Sequence, residues 1–175
     1  MAELPNDTGS LWFRLDLVDR EAPSRGAVPA VKEDGRAPSG RLLASVSLEY
    51  LDRRDGERWP VVRLPVLYVA ADSARALLAG LSDLLQGNAP GFAWQSGEDA
   101  AVGLQIGAPE GAASAPQAAL QVEVGLDLSL FLWEAAGAPR RPASELALFR
   151  FAASRQAVVA FAGAVRGEAE VLLAR

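Results

Sequence analysis

Leu120-Gln121-Val122-Glu123-Val124-Gly125-Leu126-Asp127-Leu128-Ser129-Leu130-Phe131-Leu132 is the stretch whose reading decides the fold class. Every even-numbered residue is Leu or Val, and Gln121, Glu123, Asp127 and Ser129 fall between them. A helix would scatter these apolar residues around its axis, whereas a strand gathers them on one face. The stretch therefore predicts a long, half-buried strand. Gly125 within it predicts a bulge or a strong local twist.

The same period recurs upstream. Leu11, Phe13, Leu15 and Leu17 share one face of a strand, with Arg14 and Asp16 on the other. Leu42, Ala44, Val46, Leu48 and Tyr50 form a second apolar row within 41–51. Asp52-Arg53-Arg54-Asp55-Gly56 has the composition of a turn, because Asp and Gly supply local hydrogen bonds and a permissive backbone. Trp59 to Val69 returns as the other strand of a hairpin. Pro60 and Pro65 each remove a ladder donor, which predicts an edge strand or a broken one. Phe92 to Gln95, Ala101 to Ile106 and Glu145 to Phe151 read as further strands, the first two joined by the turn Ser96-Gly97-Glu98-Asp99.

Two segments change period. Leu77, Leu78, Leu81, Leu84 and Leu85 lie on one helical face after the N-cap candidate Asp72-Ser73, and Gly87-Asn88 ends the helix. Val158, Phe161, Val165 and Leu172, with Ala162 and Ala169 among them, make the apolar face of a C-terminal helix capped by Ser154. The segments Tyr68 to Asp72 and Arg150 to Ser154 echo each other where each helix begins. Each half is then a set of antiparallel strands followed by one helix.

The expected fold is α+β: a mainly antiparallel, twisted, sandwich-like β-sheet with two amphipathic helices packed on it, the echo suggesting two strand-plus-helix half-repeats. Residues 1–175 are expected to form a single domain. Residues 20–40, rich in Pro, Gly and charge without periodicity, read as a long surface loop, and 107–119 as a second Gly/Pro/Ala-rich loop. At this length about 70% of the unfolded surface can be buried, so no staple is required.

The chain contains neither His nor Cys. That excludes a Ser-His-Asp triad, a thiolate nucleophile and Cys/His zinc sites. No phosphate-cradling glycine loop and no G-x-S-x-G elbow occur. What survives is carboxylate chemistry. Glu123 and Asp127 share a strand face, but i, i+4 spacing on a strand separates them by roughly 13 Å, too far for paired acid and base work. The expectation is a non-enzyme without metal or cofactor.

The net charge is −5 and the pI about 4.8. No basic stripe of the kind that neutralises phosphates is present, so no nucleic-acid partner is expected. Arg53-Arg54 and Arg140-Arg141 read as solvated turn charges. The acidic, proline-containing start Met1 to Asp7 does not resemble a secretory signal, and no apolar run approaches a membrane span. A cytoplasmic protein, with no membrane partner, is expected.

Asp72 to Leu85, with its D-x-x-x-L-L-x-x-L start, and Phe149 to Val165, with F-x-F-x-x-S, together resemble segments of the immunity proteins that accompany WapI-type contact toxins of bacteria. That resemblance implies a toxin-neutralising role in the bacterial cytosol, an acidic face meeting a basic protein partner. Trp12, on the face opposite Leu11 and Phe13, and the acidic residues Asp52, Asp55, Glu123 and Asp127 are the candidate partner-binding residues. The alternatives are a self-assembling or accessory subunit of a phage or secretion apparatus, hence a possible homo-oligomer, and a small-ligand-binding domain.

Overall fold

A computed structural model of the chain describes residues 1–20, 40–96, 101–109, 119–127 and 146–174. Four strands open the chain: β1 (Ala2–Pro5), β2 (Leu11–Arg20), β3 (Arg41–Leu51) and β4 (Arg58–Ala70). Helix α1 (Ala71–Gln86) follows. Then come β5 (Gly91–Gln95), β6 (Val102–Gly107), β7 (Leu120–Asp127) and β8 (Leu146–Ala153), and finally helix α2 (Arg155–Leu173). The fold is α+β and antiparallel throughout, with the strands divided between two sheets of order β1-β2-β3-β4 and β5-β6-β7-β8. Among the described residues each half is thus four sequential strands and one helix, the organisation that the echo at 68–72 and 150–154 predicts.

The alternating rows bury as expected except at Tyr50, which is exposed near the end of its strand. Phe13, Leu15, Leu17, Leu42, Ala44, Val46 and Leu48 line the inner face of the first sheet. Leu104, Ile106, Val122, Val124, Leu126 and Phe151 line that of the second. The helices tie the halves together by crossing over: α1, from the first half, packs on β5, and α2, from the second, packs on β1 and β2. Phe161 of α2 meets Phe13 of β2 with ring centroids 5.9 Å apart and planes tilted by 54°, a favoured aromatic geometry. The buried side chains of both halves belong to one cluster. Among the described residues no helix is long and apolar enough to cross a membrane.

β4 sits at an edge, as Pro60 and Pro65 require. Its register against β3 shifts twice, between Ala44 and Val46 and between Leu48 and Glu49. Gly125 departs from expectation: β7 pairs without interruption with both neighbours through it. The glycine provides space instead, because an added Cβ would meet Leu146 and Leu148 side chains at 3.5 Å.

The start of α1 also differs from the expectation. Its N-cap is Ala70, with no side-chain cap bond, because β4 runs straight into the helix. Asp72 falls in the first turn and pairs with Arg75 at 2.7 Å. Ser73 Oγ donates to the carbonyl of Gln95 instead. Neighbouring backbone stands in for the cap: Ala71 N–H donates to Gly40 at 2.9 Å and Ala70 N–H to Ser96 at 3.4 Å. Gly87 ends α1 in the left-handed conformation, φ 78°, and Ser154 caps α2 by accepting from Ala157 N–H at 3.1 Å.

β1 is an element that the alternation does not reveal. Ala2 and Leu4 are fully buried, but four residues carry too little period to read. Arg20 closes β2 and Gly107 closes β6, so both expected loops begin later than composition suggests; 21–39 and 110–118 lie outside the described residues. So do Leu128 to Leu132 of the opening stretch, the pair Glu98-Asp99, Arg140-Arg141, and Glu145.

Candidate functional site on the outer face of the second sheet

The ladder registers of β5 to β8 place side chains in rows on the face turned away from the helices. Gln95, Gly103, Gly125 and Leu148 form one row; Ala93, Gln105, Glu123 and Arg150 form the next. Two glycines and an alanine leave the backbone bare in the middle. The result is a groove of about 380 Å³, with Gly103, Gly125 and Ala93 as its floor. Leu146 and Leu148 stand at one side, 61% and 50% exposed. Gln95, Gln105, Glu123 and Asp127 supply the polar lining.

Among the described residues, Glu123 and Asp127 are the charged side chains that line it. Glu123 is half-buried and paired with Arg150. Asp127 differs from a solvent-facing sheet residue, being only 9% exposed, and its backbone N–H donates to the carbonyl of Ala101 at 3.0 Å. A cationic group entering the groove would come beside Asp127 and beside Glu123, which it would share with Arg150; a charge-assisted contact to a carboxylate is stronger than a neutral hydrogen bond. Among the described residues no three Asp or Glu side chains come together to hold a metal ion.

The other candidate residues lie elsewhere. Trp12 is on the outer face of the first sheet and half-buried, because Arg58 stacks over its ring at 4.2 Å. Arg58 is held there by Glu3 at 2.9 Å. Asp52 and Asp55 serve the β3–β4 turn, accepting from the backbone N–H of Arg54 at 2.9 Å and of Glu57 at 2.8 Å. The structure therefore brings together Glu123 and Asp127 alone.

Sequence reading missed the groove's floor and its leucines. Gly103 and Ala93 carry no signal alone; they matter because register places them beside Gly125. Trp59 was a second omission. It is 48% exposed and pairs across the ladder with Tyr50, whereas Trp94 is buried with its Nε1 donating to the Ser73 carbonyl at 2.8 Å.

No family model matches the chain, and no curated protein matches it. Among solved structures, the plant transcriptional regulator PBF-2 resembles it with a TM-score of 0.43 and 8% identity, over 94% of this chain and 76% of that chain.

Proposed function

We propose that this protein is a non-catalytic protein-binding module that receives an extended segment of a basic partner in the groove of its second sheet. The observation that carries the reading is the bare floor at Gly103 and Gly125, flanked by half-exposed leucines on one side and by Glu123 and Asp127 within reach. An extended chain presents side chains alternately. Apolar ones can rest against Leu146 and Leu148 while a Lys or Arg meets the carboxylates. The net charge of −5 would steer such a partner and raise its on-rate at low salt. Neutralisation of a basic toxin in the bacterial cytoplasm, the role implied by the resemblance of Asp72 to Leu85 and Phe149 to Val165, is one form this binding would take.

An array of synthetic peptides that differ in charge and apolar spacing tests the reading. Peptides alternating Lys or Arg with Leu or Val are expected to bind with Kd on the order of 10 µM, and acidic peptides of the same spacing far more weakly. Gly103→Leu fills the groove without disturbing the fold, since an added Cβ there meets only the Trp94 carbonyl at 3.8 Å. It should weaken binding at least about tenfold, or about 1.4 kcal/mol. Peptide binding indifferent to Gly103→Leu, or none at all, would reject the proposal. The groove's volume of about 380 Å³ also lies within the range of small-molecule sites, roughly 300–1,000 Å³. A co-purified small molecule seen by native mass spectrometry and lost in Gly103→Leu would transfer the site to that reading.

A further inference from the structure

Among the described residues each sheet has two edge strands, and three of the four edges are blunted. β1 has four residues and ends in Pro5. β4 carries Pro60, Pro65 and two register breaks. β5 has five residues, lies against α1, and has its Gln95 carbonyl occupied by Ser73 Oγ. These are the devices by which sheets avoid pairing with other chains. Among the described residues β8 has none of them before Ala152, near its end. Its eight residues, LALFRFAA, include no proline, no glycine and one charge.

Among the described residues a single backbone bond reaches the outer edge of β8, from Asp7 N–H to the carbonyl of Ala152 at 2.8 Å. In an antiparallel ladder the N–H and C=O of one residue point to the same side, and alternate residues point to opposite sides. Leu146, Leu148 and Arg150 therefore turn their backbone groups outward, as Ala152 does. Leu146 and Leu148 are also half-exposed or more, and Phe149, on the other face, is only partly buried.

We propose that a second copy of this chain pairs with that edge, β8 against β8 antiparallel about a twofold axis at Leu148, joining two four-stranded sheets into one. Both packing and charge favour this occupant. The axis places Leu148 beside Leu148 of the second copy, with Gly125 flanking each, so the two leucines have room to lie down together. The adjoining row reads Asp127, Leu146, then Arg150 and Glu123 of the second copy, from the pairings of β7 with β8. Each Arg150 then lies between its own Glu123 and the carboxylate of Asp127 beyond Leu146 of the other copy. The Asp7 contact at Ala152 limits the joint to three outward-facing residues. That is less than the roughly 800 Å² per partner of a stable complex, so the dimer should be weak, with Kd on the order of 100 µM.

The chain has no cysteine, which makes a single-cysteine test clean. In the proposed pairing the Leu148 Cα atoms lie about 5.5 Å apart, within disulfide range. Leu148→Cys should oxidise to a linked dimer at least about tenfold faster than Gln105→Cys on the same sheet face. Sedimentation equilibrium of the full chain from about 10 µM to about 1 mM should show dimer growing with concentration, and Leu148→Lys should raise Kd by about tenfold or more without lowering the melting temperature. A monomer at every concentration, a dimer indifferent to Leu148→Lys, or equal oxidation of the two cysteine variants would overturn the proposal. So would a monomer whose Leu148 amide resists hydrogen exchange, since the edge would then be covered from within the chain. None of these outcomes depends on whether the groove binds peptides.

Discussion

Gly91 and Gly103 lie at opposite ends of the β5–β6 ladder, and they should respond oppositely to a methyl group. A Cβ on Gly91 would sit 2.8 Å from the Ile106 carbonyl oxygen and 2.9 Å from Gly107 Cα. Both are backbone atoms of the adjoining strand and cannot swing away, so β5 and β6 would have to separate. Gly91→Ala should cost about 1–3 kcal/mol, the usual cost of overpacking. At Gly103 the same methyl meets nothing closer than 3.8 Å. Gly103→Ala should be neutral, or stabilising by roughly 0.5 kcal/mol, because it removes only unfolded-state freedom. Urea titrations of the two variants beside the parent check the contrast, and equal losses would mean that the two glycines do not divide the work of close approach and groove floor.

At the scale of elements, one carboxylate joins a helix to an irregular strand. β1 reaches only as far as Ala2, opposite Leu15. β2, which also loses register against β3 between Leu17 and Asp19, therefore runs past the end of its neighbour and leaves the Leu17 N–H without a ladder partner on that side. Glu168 of α2 reaches across and accepts from Leu17 N–H at 2.9 Å. Glu168→Ala should cost about 1–3 kcal/mol through the abandoned donor, and Glu168→Gln less, because its carbonyl oxygen can still accept. Equilibrium denaturation of both variants tests this ranking. The contact also marks where sequence reading ends. The face of α2, the Ser154 cap, the Gly87 stop and the bounds of β3 are legible because each rests on residues a few positions apart. The Glu168–Leu17 bond, the Arg58–Trp12 stack and the Gly103–Gly125 floor join residues from distant strands, and only register brings them together. Local cues also misled in two places. A strong N-cap pair lost to a strand that ran directly into α1, and a glycine suggestive of a bulge served instead to leave room for leucines. Of the candidate site, the polar row of β7 was readable; the groove around it was not.

At the scale of the molecule, the exchange of helices decides how the chain folds. α1 is covalently part of the first half, but its buried residues Leu77, Leu81 and Leu84 face a core shared with β5. α2 belongs to the second half, yet Phe161 packs against Phe13 of β2. A fragment of residues 1–90 would contain the strands of the first sheet but lack the helix that covers β1 and β2, and it would hold α1 without its platform. The reverse holds for 91–175. Neither fragment buries enough apolar surface to offset its chain entropy, so each should lack fixed tertiary structure alone, and mixing the two should restore it. The intact chain should accordingly unfold in one cooperative step, with backbone circular dichroism and the fluorescence of buried Trp94 changing together. Phe161→Ala, expected to cost about 3–5 kcal/mol, should lower the midpoint of both signals equally, because it removes a contact that both halves require. Two separate transitions, or a fragment that folds unaided, would show that the crossed helices dock onto sheets already stable without them.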